Sequence, residues 1–325
     1  MKIRVLSTLI ICAVLFSCNN KKPELMLVDS NGRMNQLLVV MDNEFWDNAE
    51  GTALQDALRE DVYGLPQKEP QFNITHVEVN GFGHLFKRSK SILIVGLGAT
   101  SEFTIQRDVY AKPQTIVKLI EPNKESLLKT IEEKKAHIVQ IFKNEDLKAV
   151  QYRLRKNQLD ISKLNTLKNL GVSMQIPGAY KLVDDTGDFL WLRQHVRDGQ
   201  NTNLLVYEMP ISSQEDEDGL NILTTRDLIG EKYIPGEKEG MYMITEAAYP
   251  PQVLSTKIDE KKAYQTRGKW EVKNAFMAGP FLSYTIVDKP NNRLVVIEGF
   301  TYAPATNKRD YMFEIEAVLK TVKLN

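Results

Sequence analysis

Only two thiols occur in the 325 residues, Cys12 and Cys18. Ahead of Cys18, Lys2 and Arg4 supply two positive charges with no acid, and Val5 to Phe16 form an apolar run broken only by Ser7 and Thr8. That run falls short of the roughly 20 apolar residues a spanning helix needs, and no basic stop-transfer flank follows it. The layout is that of an export signal over residues 1–17. It ends in Leu15-Phe16-Ser17-Cys18, a small residue followed by a cysteine.

Leu15 to Cys18 resembles a bacterial lipobox, with Phe16 bulkier than the usual occupant; the resemblance implies that Ser17 leaves room for the peptidase at the scissile bond and that Cys18 carries the thiol to be acylated. Cys18 is therefore the expected site of palmitate-type lipid attachment, and the lipid bilayer the expected partner. A single acyl chain binds a membrane only marginally, whereas several chains on one cysteine, at about 0.8 kcal/mol per buried methylene, hold it durably. Residues 18–35 read as a polar tether, opening Asn19-Asn20-Lys21-Lys22-Pro23. With no Asp after Cys18, the periplasmic side of an outer membrane is the expected address. Cys12 leaves with the signal and Cys18 is acylated, so no thiol is left for a disulfide or a cysteine-ligated metal.

Other reactive patterns fail on inspection. Gly96-Leu97-Gly98-Ala99-Thr100-Ser101 follows a strand as a dinucleotide loop would, but the third glycine is missing and Pro113 interrupts the expected helix. Asp216, Asp218 and Gly219 suggest a calcium loop, yet its first ligand would be Gln214 and its twelfth Thr225, where a bidentate Glu is needed. It reads as a solvated acidic loop. His76, His84, His137 and His195 stand alone, without the i, i+4 partner of a zinc helix. No nucleophile elbow is present. No catalytic residue, metal or cofactor is expected.

The C-terminal half is denser in side chains suited to ligand recognition. Phe189, Trp191 and Arg193 alternate along one strand and so share a face, an aromatic platform beside a guanidinium. Arg226-Asp227 opens a short helix, Glu246 ends a strand, and Arg267-Gly268-Lys269-Trp270 sets a second Arg near a second Trp. Trp191, Arg193, Arg226, Asp227, Glu246, Arg267 and Trp270 thus either line a ligand groove or pack and pair within a β-rich core.

These residues need a scaffold, and the hydrophobic periodicity supplies one. Residues 36–122 read as strand, helix and three strands: Gln36 to Met41, a helix through Leu54 and Leu58, then Phe72 to Val79, Ser91 to Val95 and Thr115 to Ile120. This makes a small sheet with a helix on one face. Residues 123–170 turn rich in Leu, Ile, Lys, Glu and Gln, and form a helical connector of two helices ending at Gly171. Residues 171–325 hold a meander at 179–183, 189–195 and 204–209 and a helix near 224–229. Strands follow at 241–246, 263–267, 270–274, 282–287 and 294–300, then a terminal helix from Arg309 to Val322. The class is α+β: two sheet-containing regions joined by a helical segment, the second a mostly antiparallel sheet with a C-terminal helix.

Composition narrows the partners. A hydrophobic fraction of 42% suffices for a real core, and 42 basic residues balance 42 acidic ones. Loss of Lys2 and Arg4 with the signal lowers the basic count by two, to 40. Nucleic acid is excluded as a partner by the lack of a basic excess.

Several short stretches, in order, resemble the domain of unknown function 4837 family of Gram-negative lipoproteins. They are Gly64-Leu65-Pro66-Gln67 with Glu69-Pro70, Ala111 to Gln114, Ile176 to Tyr180 and Asp188 to Arg193. Tyr242-Met243 with Thr245-Glu246, Arg267 to Trp270, Met277 to Phe281, and Gly299-Phe300 through Lys308-Arg309 complete the set. Ala278 stands where the family favours glycine. The resemblance implies an envelope lipoprotein without an assigned activity. The expected role is a non-enzymatic binding or structural module in the periplasm, engaging an envelope protein or small ligand. The alternative is a periplasmic hydrolase using Glu246 or Asp227 with Arg267 and Arg226.

Overall fold

A computed structural model describes residues 27–324 apart from position 198. The export signal and Cys18 lie outside the described residues.

The first region is built on a five-stranded sheet. Its parallel strands are β2 (Gln36–Val40), β3 (Asn73–Val77), β4 (Ser91–Leu97) and β7 (Thr115–Glu121), with β5 (Glu102–Arg107) antiparallel at one edge. The order across the sheet is β3-β2-β4-β7-β5. The central strands are continuous apolar runs because both faces are covered. On one face, Leu37, Val39, Leu93, Val95, Val117 and Leu119 meet α1 (Asn43–Trp46), α2 (Ala49–Leu58) and the first half of α4 (Lys124–Leu154). On the other, Leu38, Val40, Ile92 and Ile116 meet Phe82 and Phe86, the latter in α3 (His84–Lys87). Sequence periodicity misses β5. Its edge position leaves its residues only half-covered, so the apolar signal of Glu102-Phe103-Thr104-Ile105 is weak.

The folded body begins inside the span read as a tether. Residues Val28–Asp29 form β1, parallel to β6 (Ala111–Lys112), Asn31 bridges Ser89, and Asn35 is fully buried. The segment is polar because its side chains serve a buried hydrogen-bond network, which composition alone does not distinguish from a solvated linker.

Helix α4 runs unbroken for 31 residues, about 46 Å at 1.5 Å per residue. The Asn123 side chain accepts the Ser126 N–H and starts it. Leu127, Ile131, Ile138 and Phe142 belong to the first core, and Leu147, Val150 and Leu154 to the second. The connector is thus a shared wall of both cores. Helix α5 (Asn165–Leu170) is the second predicted helix and ends on Gly171, whose φ of 64° is the left-handed cap conformation glycine adopts without strain.

The second region is an antiparallel sheet. Its strands are β9 (Lys181–Asp185), β10 (Phe189–Arg197), β11 (Gln200–Pro210), β12 (Met243–Thr245), β13 (Gln252–Ile258), β14 (Lys261–Val272), β15 (Ala278–Asp288) and β16 (Arg293–Tyr302). They are ordered β12-β14-β15-β16-β11-β10-β9, with β13 also paired to β14. A small pair, β8 (Val172–Ser173) and β17 (Lys323–Leu324), closes the chain end against α5. Between β11 and β12 lie α6 (Gln214–Glu217) and α7 (Ile222–Tyr233); α8 (Arg309–Leu319) follows β16.

One face of this sheet, including Leu190, Leu204, Leu282, Tyr284, Val295 and Ile297, packs on α8, α5 and the end of α4. The opposite face, with Phe189, Trp191, Tyr207, Trp270, Phe281 and Phe300, is covered from α7 by Ile229 and Tyr233. At Gly299 a Cβ would lie 2.2 Å from Ile315 of α8, so glycine is what lets that helix lie flat on β16. Of residues 263–267 and 270–274, expected as two strands, 263–267 and 270–272 belong to a single β14, which ends at Val272 ahead of a turn at Lys273-Asn274. Gly268 marks where the outer partner changes from β13 to β12 and not where the strand ends. The acidic tract carries the short helix α6, with Asp216 accepting from Ser212 N, Ser213 N and Asn221 Nδ2.

Candidate functional site

Where the C-terminal half of α4, helix α8, strands β13 to β15 and residues 60–63 converge, they leave a cleft of about 460 Å³. Val139, Leu147, Leu254, Met312 and Phe313 form its apolar walls, and its polar groups come from residues 60–63, Gln71, α4, α8 and strands β13 to β15. Arg267 on β14 meets Glu316 on α8 at 2.6 Å, and Lys320 one turn on reaches the same carboxylate at 2.8 Å. Gln265 donates to the Tyr284 hydroxyl at 2.7 Å. Burial alone would raise the Glu316 carboxyl, but Arg267 and Lys320 overcome it and hold it down to about 2. Burial pushes the Tyr284 phenol up, and the Glu316 charge adds to that.

Lys143 projects from α4 between Phe72 and Phe313, its Nζ 4.9 and 5.3 Å from their ring centroids. The amine donates to Gln71 O at 3.1 Å and to Asn35 Oδ1 at 3.3 Å, and pairs with no carboxylate among the described residues. Burial, reinforced by Arg309 and Arg267 and opposed by Glu316 and Asp146, brings it down to about 8. The cleft thus combines the Glu316 carboxylate, the Arg267 and Arg309 guanidinium groups, and the Lys320 and Lys143 amines, of which Lys143 is the one brought down to about 8.

Buried polar contacts hold these elements in place. Asn35 donates its backbone N–H to Asp146 Oδ2 at 2.6 Å and its side-chain amide to Asp310 Oδ1 at 2.9 Å. Asp146 also pairs with Lys90 at 2.5 Å. Glu69 accepts the N–H groups of Lys308 at 2.7 Å and Arg309 at 3.0 Å, and the Arg309 guanidinium donates to Pro70 O at 2.8 Å. Segments 31–35 and 69–73 are thereby tied to α4 and α8, and the cleft walls are preset.

Of the seven residues singled out from sequence, the structure puts Arg267 in this cleft and does not bring the others to it. Trp191 and Arg193 both donate to Asn203 Oδ1 at 3.0 Å, with the guanidinium 4.7 Å over the indole. Arg226 forms a buried bidentate pair with Glu298, using Nε and the terminal nitrogen at 2.8 to 3.1 Å, and lies 3.8 Å over Phe281. Burial pushes the Glu298 carboxyl up, and Arg226 works against that. Asp227 accepts both the N–H and the hydroxyl of Thr245 at 2.7 Å. Trp270 is 1% exposed and packs edge-on against Phe300. Glu246 follows β12, its N–H donating to Lys269 O at 2.9 Å.

Sequence reading passed over Lys143, Tyr284, Arg309 and Glu316. The available signal was a charge on an apolar stripe: Lys143 sits one turn from both Val139 and Leu147, and Glu316 follows Met312 and Ile315 on the buried face of α8.

Among the described residues no helix is long and apolar enough to cross a membrane, and no cluster of three or more His, Cys, Asp or Glu side chains could hold a metal. The fold is a mixed α+β body with a preset polar cleft. Residues 158–321 match the family described as a domain of unknown function (DUF4837), and the chain belongs to that family. Residues 30–155 match a second domain of unknown function (DUF8532), so the motif-bearing segments before residue 155 fall in that match. The two matches meet just past the end of α4. No curated protein matches the chain.

Two solved structures are distantly similar. One, from Bacteroides thetaiotaomicron, is 11% identical with a TM-score of 0.27, covering 48% of this chain and 46% of its own. The chain therefore spans about half the length of that relative. The other, LpqN, described as involved in cell envelope biogenesis of Mycobacterium tuberculosis, is 12% identical with a TM-score of 0.29, covering 47% of this chain and 82% of its own.

Proposed function

We propose that this protein is a lipid-anchored binding module of the cell envelope, held by acylated Cys18 at the periplasmic face of an outer membrane, and that its cleft receives a small polar ligand. One observation carries the ligand reading: a cleft of about 460 Å³ whose charged walls come from α4, α8, β14 and residues 60–63 and are fixed by buried hydrogen bonds. That volume lies in the range of small-molecule sites, which are usually preformed. The anchor reading rests on the Lys2-Arg4 charge, the apolar run and Leu15 to Cys18. In this reading 1–17 is the export signal and the chain after Cys18 carries the folded body.

Two experiments test it. Fractionation of cells carrying Cys18→Ala is expected to release the protein from the membrane, and normal retention would refute the anchor. A thermal-shift screen of envelope small molecules is expected to give a response in the wild type that Leu254→Trp, which adds bulk to the β13 wall of the cleft, weakens or abolishes. Equal responses in a folded Leu254→Trp protein would refute the cleft as the site.

A further inference from the structure

The charges around the cleft floor do not balance within it. Arg267 is answered by Glu316, which Lys320 also engages. Arg309 is answered at Nε by Asp310 at 2.9 Å and otherwise by Pro70 O and Asn73 Oδ1. Lys143 meets only neutral acceptors, Gln71 O and Asn35 Oδ1. The charged groups facing it are Glu316 and Arg309 on α8, Arg267 on β14 and Asp146 on its own helix. Asp146 is already committed to Lys90 and to the Asn35 N–H. Glu60 and Asp61 also line the cleft, but from exposed rim positions. Toward the floor, the cations Lys143, Arg267, Arg309 and Lys320 therefore stand against the carboxylates of Glu316 and Asp310, and Lys143 is the cation left without a carboxylate partner among the described residues.

Resting on the reading of the cleft as a binding site, we infer that its ligand bears an oxyanion, a carboxylate or a phosphate-type group. Lys143 Nζ is the cation that meets it, and protonation of that amine is coupled to binding. An anion there supplies the missing countercharge and favours the ammonium form, as any opposite charge within a few ångströms does. By linkage, the same interaction makes anion affinity fall as the amine loses its proton. Val139, Leu147, Met312 and Phe313 leave an apolar wall for the body of the ligand.

Sulfate and acetate are suitable probes, since neither titrates in the alkaline range. The Lys143 amine is followed by NMR in the full chain, assigned with Lys143→Arg, in chloride and in sulfate or acetate at matched ionic strength. In chloride its midpoint is expected at about 8. With either probe bound it is expected to rise by about one pH unit or more, the counterpart of a roughly tenfold preference for the charged form. Calorimetry is expected to show Lys143→Met binding the probe roughly tenfold more weakly or worse, and Lys143→Arg keeping affinity without the loss above pH 8.

A midpoint unmoved by both probes, or a Lys143→Met protein that binds as the wild type does, overturns the inference. Should an uncharged or cationic compound still shift the melting of the wild type but not of Leu254→Trp, the anion class falls and the cleft reading stands. When Leu254→Trp alters no response to any compound, the cleft reading itself falls.

Discussion

Glu69 caps helix α8 across 239 residues of sequence, its two carboxylate oxygens accepting the Lys308 and Arg309 N–H groups at 2.7 and 3.0 Å. Helix α8 has no capping side chain of its own, because Lys308 occupies the N-cap position. The cap comes instead from the first region, placing negative charge at the positive end of the helix dipole. Since α8 carries Met312, Phe313 and Glu316 into the cleft, the same contact fixes the cleft geometry.

Glu69→Ala therefore leaves two buried N–H donors without an acceptor. It is expected to lower unfolding stability by about 2 kcal/mol, read from urea denaturation, with Glu69→Gln losing less. A change under about 0.5 kcal/mol, the usual scatter for surface substitutions, would mean the cap is dispensable.

The Arg226–Glu298 pair makes a sharper demand, because both side chains are almost fully buried. Glu298→Ala strands a guanidinium inside the sheet–α7 interface and is expected to cost about 3–5 kcal/mol. Replacing both partners together with apolar residues, Arg226→Met with Glu298→Leu, is expected to recover most of that loss. Two single variants whose costs simply add in the double would show that the charges do not act as a pair.

Packing at Gly299 is testable by coupling. Gly299→Ala sets a Cβ against Ile315 and is expected to destabilise by about 1–3 kcal/mol through overpacking. In an Ile315→Ala background the clash is gone, so adding Gly299→Ala should cost little more. Equal costs in both backgrounds would place the strain elsewhere.

Stability should respond to pH in two windows. Lys143 falls from an ordinary 10.5 to about 8 in the folded state, so the unfolded chain holds more protons between those values. Stability from this group therefore rises as pH climbs from about 8 towards 10.5, and Lys143→Met should remove that rise and gain on the order of 2 kcal/mol at pH 7. Glu316 behaves oppositely, being depressed from 4.5 to about 2. Its contribution is complete above about 4.5 and is lost as pH falls towards 2, a slope that Glu316→Gln should abolish. Chemical unfolding midpoints across pH, compared between wild type and each variant, read both windows.

Much of the fold was legible because burial imposes periodicity. Strands β2, β4 and β7 read as apolar runs, and α8 showed its Met312, Ile315, Val318 and Leu319 stripe. Strand β13 escaped notice because its opening residues, Gln252 to Ser255, are all exposed and carry no clean alternation. The site was less legible for a related reason. Trp191, Arg193 and Trp270 advertise recognition by residue type, yet the sheet turns Trp191 and Trp270 towards the α7 side and Arg267 towards α8. Lys143 gave only the faint signal of a cation within an apolar stripe, and its significance depends on Arg267 and Arg309, which lie on distant elements of the other region.

The most direct measurement of the central claim is the cargo of the protein itself. Wild-type protein and Leu254→Trp, purified from native membranes under gentle conditions, are denatured and the released small molecules identified by mass spectrometry. A compound bearing a carboxylate or phosphate-type group, enriched with the wild type and depleted from the Leu254→Trp variant, is the predicted result. Matching small-molecule profiles from the two folded proteins would contradict it.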